Sequence, residues 1–113
     1  MTDARWIKES PIAITVTDAA GIVLDMNDKS AKTFEKDGGR TLIGKNVSDC
    51  HPEPARSRLE EMLRTGTSNI YTIEKKGAKK MIVQVPWHSD GKVAGLVELS
   101  IELPAQIPHF VRS

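Results

Sequence analysis

The sequence lacks most of the features that would assign a compartment or a chemistry at once. Its 113 residues include a single cysteine, so no internal disulfide can form, and a reducing compartment is favoured. No apolar run approaches the roughly 18–20 residues that span a bilayer, and the first residues lack the basic and apolar regions of a secretion signal. We therefore expect a cytoplasmic protein without a membrane segment.

The chain also lacks a surplus of charge of either sign. It contains 16 lysines and arginines against 15 aspartates and glutamates, a formal net charge of +1. Nucleic-acid-binding domains usually carry a clear basic surplus, so we do not expect nucleic acid as the main partner. A chain of this length forms one domain with a modest core, too small for a large cleft between two domains.

Alternating apolar residues predict two strands near the start of the chain and three near its end. The segments "PIAITVTD" and "IVLDMN", joined by the turn "DAAG", are typical of a hairpin over residues 11–27. Later in the chain, "SNIYTIEKK", "KKMIVQVPW" and "VAGLVELSIEL" alternate in the same way, with the turn signals "KGAK" and "HSDGK" between them. We therefore expect hairpins at both ends of the domain.

Between the two groups of strands the apolar period becomes helical. A short helix is predicted over residues 28–36 and a longer amphipathic helix over residues 53–64, which stops at Gly66. This order indicates an α+β protein, an antiparallel sheet covered on one face by helices. We divide the chain into an N-terminal flanking helix at residues 1–10, a domain at 11–103 and a tail at 104–113.

Strand alternation and the stripe of the longer helix predict which side chains meet between sheet and helices. In the first strand, Ile14 belongs to the more apolar of the two alternating sets, which we expect to face inwards. Methionines recur on the predicted inward faces, and methionine suits adaptable pockets. The side chains expected to converge in a pocket are Ile14, Met26, Ile43, Leu59, Met62, Ile73, Met81 and Val83.

Three groups of residues, in order and at suitable spacing, make the chain resemble a PAS domain over residues 11–103. They are Asp18, Gly21 and Asn27 around the first hairpin, Gly44 in "LIGKNV", and Asp90, Gly91 and Gly95 in the last hairpin. The resemblance implies a PAS fold, a five-stranded sheet with strand order 2-1-5-4-3, and a pocket between sheet and helices. It leaves the function open, because this scaffold holds many ligands and some members hold none.

The resemblance allows two cofactors to be considered residue by residue. Flavin-binding light sensors of this family place a reactive cysteine where this chain has Val47, and Cys50 is three positions away, so a flavin photoadduct is not expected. Haem-binding members use an axial histidine, commonly in the longer helix, and His51 just before that helix is the nearby candidate. The alternative role of His51 is to cap the helix, which we favour. The ligand, if any, stays unknown.

Other chemistry has little support in the sequence. One cysteine and three widely spaced histidines show no zinc-ligand pattern. Cys50 and His51 are sequence neighbours, which seldom point at each other, and the acidic residues are expected at exposed strand positions or turns. We therefore do not expect an enzyme.

Two functions stay open. The first is a sensory module that binds a small ligand or partner and signals through dimer or flank contacts to an effector, in another chain or removed from this one. The second is a dimerisation or scaffolding domain with a filled core. Trp6 and Ile7, together with the apolar tail residues, indicate an interface. We expect a two-fold symmetric homodimer that buries Trp6 and Ile7; the alternative is that Trp6 folds back onto its own sheet.

Overall fold

Five strands form one antiparallel sheet within residues 5–47 and 52–113, the residues that the computed structural model describes. The strands are β1 (Ala13–Thr17), β2 (Val23–Met26), β3 (Asn69–Lys75), β4 (Ala78–Ser89) and β5 (Lys92–Glu102). Their order in the sheet is β2-β1-β5-β4-β3, which confirms the α+β fold and the strand order implied by the sequence. The central strand is therefore β5.

The helices comprise a short one before the first strand and two that connect the two groups of strands and pack against the sheet. They are α1 (Arg5–Lys8), α2 (Asp28–Thr33) and α3 (Ala55–Thr65), with 3₁₀ turns at Glu35–Asp37 and Gly39–Leu42. The longer helix begins two residues later than the sequence predicts and ends at Gly66, which takes the left-handed conformation with φ 72°. No helix in the described parts of the chain is long and apolar enough to cross a membrane.

The strand register shows which residues share a face of the sheet. On β5, Glu98 is the direct neighbour of Thr15 on β1 and of Gln84 on β4, and this set faces the helices. The opposite set forms what we call the outer face. Its apolar members are Ile14, Val16, Ile70, Met81, Val83, Val85, Val97, Leu99 and Ile101.

This register corrects the sequence prediction for three pocket residues. Ile14, Met81 and Val83 belong to the outer face and point away from the helices. The prediction assumed that the more apolar side of each strand is the buried one. In this sheet both faces carry apolar residues, and on β1 the side facing the helices holds the smaller, more polar residues.

The core between sheet and helices consists of two adjoining clusters. Val23, Met26 and Leu42 form the first, and Leu59, Met62 and Leu96 form the second. Val47 packs against both clusters and joins them. Burying one such side chain contributes roughly 1.5–3 kcal/mol, so the second cluster accounts for much of the attachment of α3 to β5.

Asn27 fastens the N-terminal flank to the first hairpin. Its Oδ1 accepts hydrogen bonds from the backbone N–H of Ile14 at 2.9 Å and of Ser30 at 3.0 Å, which caps α2. Its Nδ2 donates to the carbonyl oxygens of Ile7 at 2.9 Å and Ile12 at 2.8 Å. One buried amide therefore joins α1, β1 and α2.

Gly95 marks a close approach between the last hairpin and β1. A Cβ at this position would lie 1.9 Å from the carbonyl oxygen of Thr17 and 2.5 Å from Nε1 of Trp87. The space is occupied by a hydrogen bond, since Trp87 Nε1 donates to the Thr17 carbonyl at 2.8 Å. Any larger residue at position 95 would push the last hairpin and β1 apart.

A candidate ligand cavity between the sheet and the helices

A cavity of about 110 Å³ lies between the helix-facing side of the sheet and the segments that cover it. Residues from β1, β2, β5, α3 and the turns between α2 and α3 surround it. The lining residues are Thr15, Thr17, Val23, Met26, Phe34, Asp37, Leu42, Lys45, Asn46, Val47, Leu59, Leu96 and Glu98.

The walls of the cavity are mainly apolar because it lies where the two core clusters meet. Met26 of the first cluster and Leu59 and Leu96 of the second contribute to the lining. Apolar walls with a few placed polar groups are typical of small-molecule sites, in which the polar groups set the orientation of the ligand. The shape and chemistry of the cavity therefore suit a small, largely apolar molecule.

Two threonines of β1 supply polar atoms on the sheet side. The hydroxyl of Thr15 lies 2.5 Å from the hydroxyl of Ser30, which is fully buried on α2. The hydroxyl of Thr17 donates to the carbonyl of Asp18 at 3.0 Å and accepts from the backbone N–H of Leu96 at 3.2 Å. Both hydroxyls have partners within the fold: that of Thr15 joins β1 to α2, and that of Thr17 joins β1 to β5.

Glu98 is a carboxylate on the central strand, and it belongs to a chain of hydrogen bonds that crosses the sheet. Gln84 Nε2 donates to Glu98 Oε2 at 2.9 Å, and Asn69 Nδ2 donates to Gln84 Oε1 at 3.2 Å. Arg58 on α3 in turn donates from Nη2 to Asn69 Oδ1 at 3.3 Å. The chain connects the cavity with the exposed side of α3.

The electrostatic effect of Glu98 extends to Tyr71 on β3. Partial burial raises the pKa of the Tyr71 hydroxyl, and the nearby Glu98 carboxylate raises it further because it repels the tyrosinate. Two more ionisable residues line the cavity, Asp37 and Lys45, and both are exposed. The cavity therefore has charged groups of both signs at its solvent side and one carboxylate further in.

The structure places the eight predicted pocket residues in three different environments. Met26 and Leu59 line the cavity, and Met62, fully buried, packs beside Leu59 and Leu96. Ile43 and Ile73 are both 40% exposed and lie outside the lining, one in a turn and one on the edge strand, which corrects their prediction. The remaining three, Ile14, Met81 and Val83, lie on the outer face as described above.

Apart from Met26 and Leu59, sequence reasoning missed the residues that line the cavity, among them three polar residues of the sheet. Thr15 and Thr17 were assigned to the solvent side of β1, and Glu98 was expected at an exposed strand position. A usable signal was present in β5, where Glu98 alternates with Leu96, which is buried at 3% exposure. Because residues two positions apart share a face of the sheet, Glu98 lies on the same side of β5 as the buried Leu96.

The two residues considered for haem or thiol chemistry, His51 and Cys50, lie outside the described residues. Within the described part of the chain, no group of histidine, cysteine and acidic residues could hold a metal ion. His88 and His109 are exposed and do not line the cavity. The cavity of about 110 Å³ is also small beside the roughly 300–1,000 Å³ of pockets for drug-sized ligands, so a porphyrin does not fit it.

Comparison with known families gives one clear match. The profile of the family described as PAS fold matches residues 7–106, most of the chain. No curated protein sequence shows a significant match to the chain.

Solved structures with the same fold come from several sensory proteins. The Aer2 receptor of Vibrio cholerae, described as a dual PAS-heme oxygen sensor, matches at TM-score 0.60 and 16% identity over 82% of this chain and 95% of its own. A sensory box sensor histidine kinase of Vibrio cholerae matches at TM-score 0.60 and 19% identity, covering 86% and 85%. VqmA of Vibrio cholerae, in a structure bound to DPO, matches at TM-score 0.66 and 13% identity. The match covers 88% of this chain but 55% of VqmA.

Proposed function

Because this chain belongs to the PAS fold family, we propose that it is a sensory domain whose cavity binds a small molecule and whose surface passes the signal on. The observation that carries the proposal is the cavity itself. It has apolar walls, a carboxylate on the central strand and exposed charged residues at its solvent side. A core that served only for stability would gain nothing from this combination.

The similar structures support a sensory role through the descriptions of those proteins. One is described as a heme oxygen sensor, one as a sensor histidine kinase and one as bound to DPO. At 13–19% identity these likenesses extend to the fold alone. The size of the cavity favours a ligand much smaller than haem. We propose no catalytic step, and we propose that the effector is another protein or domain.

A route from the cavity to the N-terminal flank supports the second half of the proposal. Asp28, the first residue of α2, forms ion pairs with Lys8 of α1 at 3.1 Å and with Arg40. Arg40 also donates from Nη1 to the carbonyl of Met26, a lining residue, at 3.1 Å. A ligand that moves Met26 or the turn holding Arg40 would therefore displace α1.

We further propose a two-fold symmetric homodimer formed through the outer face, Trp6 and Ile7. The outer face is a continuous apolar surface on a sheet whose other face already packs against helices. Extended apolar surfaces of this kind usually mark an interface. Trp6 is 78% exposed, so it does not pack on the sheet of its own chain and is free to contact a partner.

A scaffolding domain with a filled core is the second candidate function. The small volume of the cavity and the complete burial of Met62 favour it. In that case no small molecule should bind between sheet and helices, and dimer formation alone would be the function. The two candidates therefore differ in a measurable property.

Thermal unfolding with single-ring organic molecules distinguishes the two candidates. A molecule that binds the cavity and is present at a concentration of about ten times its Kd stabilises the folded state by about 1.4 kcal/mol. It should raise the midpoint temperature of unfolding of the wild-type chain by about 5 °C. Val23→Phe fills the cavity, because Val23 lines it and is 4% exposed, and should abolish the shift.

Val111→Phe is the matched control. Val111 is 92% exposed in the tail, so the same chemical change there should leave the ligand-induced shift intact. If no molecule in the panel stabilises the wild-type chain, or if Val23→Phe responds as the wild type does, the ligand-binding function is wrong and the scaffolding function takes its place.

A further inference from the structure

Glu98 is the feature of the cavity that its apolar walls do not explain. Its Oε2 is held by Gln84, a neutral amide, at 2.9 Å. Among the residues that the structure describes, no donor reaches Oε1 and no lysine or arginine forms an ion pair with Glu98. Glu98 is half-buried, and no fully buried side-chain oxygen of the described residues lacks a hydrogen-bond partner, so Oε1 is open to solvent and to a ligand.

A carboxylate beside apolar side chains is costly unless a partner compensates for lost hydration. Gln84 compensates in part, and it also fixes the orientation of the carboxyl group through its bond to Asn69. Such a fixed, incompletely paired carboxylate is complementary to a donor that carries positive charge, because charge-assisted hydrogen bonds are about twice as strong as neutral ones.

The charges around the cavity favour a cation over an anion. Among the residues that the structure describes, three ionisable side chains line it, Asp37, Lys45 and Glu98, which carry two negative charges and one positive charge when ionised. Lys45 is exposed and forms no ion pair with Glu98, so its ammonium group is hydrated at the solvent side. The carboxylate on the central strand is thus not neutralised by the lysine of the same cavity.

The volume of the cavity limits the apolar part of the ligand. An apolar protein cavity of about 150 Å³ is known to accept benzene. The cavity here measures about 110 Å³, with exposed residues at one side that leave room for part of a ligand to project. The apolar body that fits is no larger than a single ring or a short branched chain.

We propose that the cavity selects a small organic cation, a protonated amine on an apolar body of about one ring, whose N–H group donates to Oε1 of Glu98. The inference rests on the proposed function of the cavity as a ligand site and adds the chemical class of the ligand. The apolar body lies against Met26, Leu59 and Leu96, and the amine points to β5.

Calorimetric titration of the whole chain with benzylammonium and benzyl alcohol tests the inference, since the two probes differ mainly in charge. The wild-type chain should bind benzylammonium about tenfold more tightly than benzyl alcohol. Glu98→Gln, which keeps the shape and the bond partner of the side chain, should bring this ratio close to one, chiefly by weakening the binding of benzylammonium. Lys45→Gln should keep or increase the preference for the cation.

The outcomes separate this inference from the function on which it rests. Equal binding of the two probes by the wild-type chain overturns the cation preference while the ligand site stands, and this comparison needs no variant to fold. A preference for benzylammonium that persists in Glu98→Gln also overturns the inference, because the cation then binds elsewhere. If neither probe binds any form of the chain, the ligand site itself is wrong.

Discussion

Asn27 shows how one residue can combine several structural tasks. Its side chain accepts hydrogen bonds from two backbone N–H groups and donates to two backbone carbonyls, so it satisfies four backbone polar groups, which are buried or partly buried. Sequence comparison alone identifies this residue as part of a family pattern. The structure gives the reason, which is that the flank, the first strand and α2 meet at this amide.

Replacing Asn27 with alanine should lower the free energy of unfolding by about 3 kcal/mol. The loss combines the cap of α2 with backbone groups left unpaired in the core. Urea denaturation measures it, and Asn27→Asp is the control, because Asp keeps the acceptor for Ser30 but loses both donors. A loss below about 0.5 kcal/mol for the alanine variant would show that water replaces the amide.

At the scale of single elements, the strands separate what sequence reasoning predicts from what it misses. The number of strands, their order in the chain and the stop of α3 at Gly66 follow from period, turn residues and glycine placement. The sequence does not predict which side of a strand faces the helices when both sides carry apolar residues. For β1, the choice between Ile14 and Thr15 is made by packing against α2, through the hydroxyl of Ser30.

The start of α3 provides a prediction on pH. Glu53 accepts hydrogen bonds from the hydroxyl and from the backbone N–H of Ser57, the latter at 2.8 Å, and these bonds lower the pKa of the Glu53 carboxyl from 4.5. A carboxyl whose pKa is lower in the folded state stabilises the fold above its unfolded pKa and loses that effect as pH falls through the folded value.

Glu53→Gln should therefore be less stable than the wild type at pH 7, and the difference should shrink as the pH falls below 4.5. Urea denaturation at several pH values measures it. Glu60→Gln, on the exposed side of the same helix, is the control. A difference that stays constant from pH 7 into the acid range would mean that the charge of Glu53 does not contribute.

At the scale of the whole molecule, the sheet has two different faces with different proposed roles. The helix-facing side holds the cavity, and the outer face carries a broad set of apolar residues. The sequence resemblance implied both the fold and a pocket. It did not assign residues to the two faces. Alternation shows that successive side chains point to opposite faces of the sheet, but it does not show which face packs against the helices.

The dimer proposal predicts that a charge on the outer face separates the subunits. Leu99 lies on the central strand between Ile14 and Val83, so Leu99→Glu would bury two charges in a two-fold interface. Sedimentation should show the wild type as a dimer at micromolar concentration and Leu99→Glu as a monomer, with its fold checked by circular dichroism. Ile43→Glu, at an exposed turn residue that is not part of the outer face, should remain a dimer. A monomeric wild type would contradict the proposal.

The central claim is that small molecules bind between the sheet and the helices, and methyl NMR of the whole chain tests it most directly. Titration with benzyl alcohol should shift the methyl resonances of Met26, Leu59 and Leu96, which lie at the cavity. The methyl groups of Met81, Val83 and Leu99 on the outer face should change little. Shifts confined to the outer-face methyl groups, or no shift at millimolar benzyl alcohol, would contradict the account.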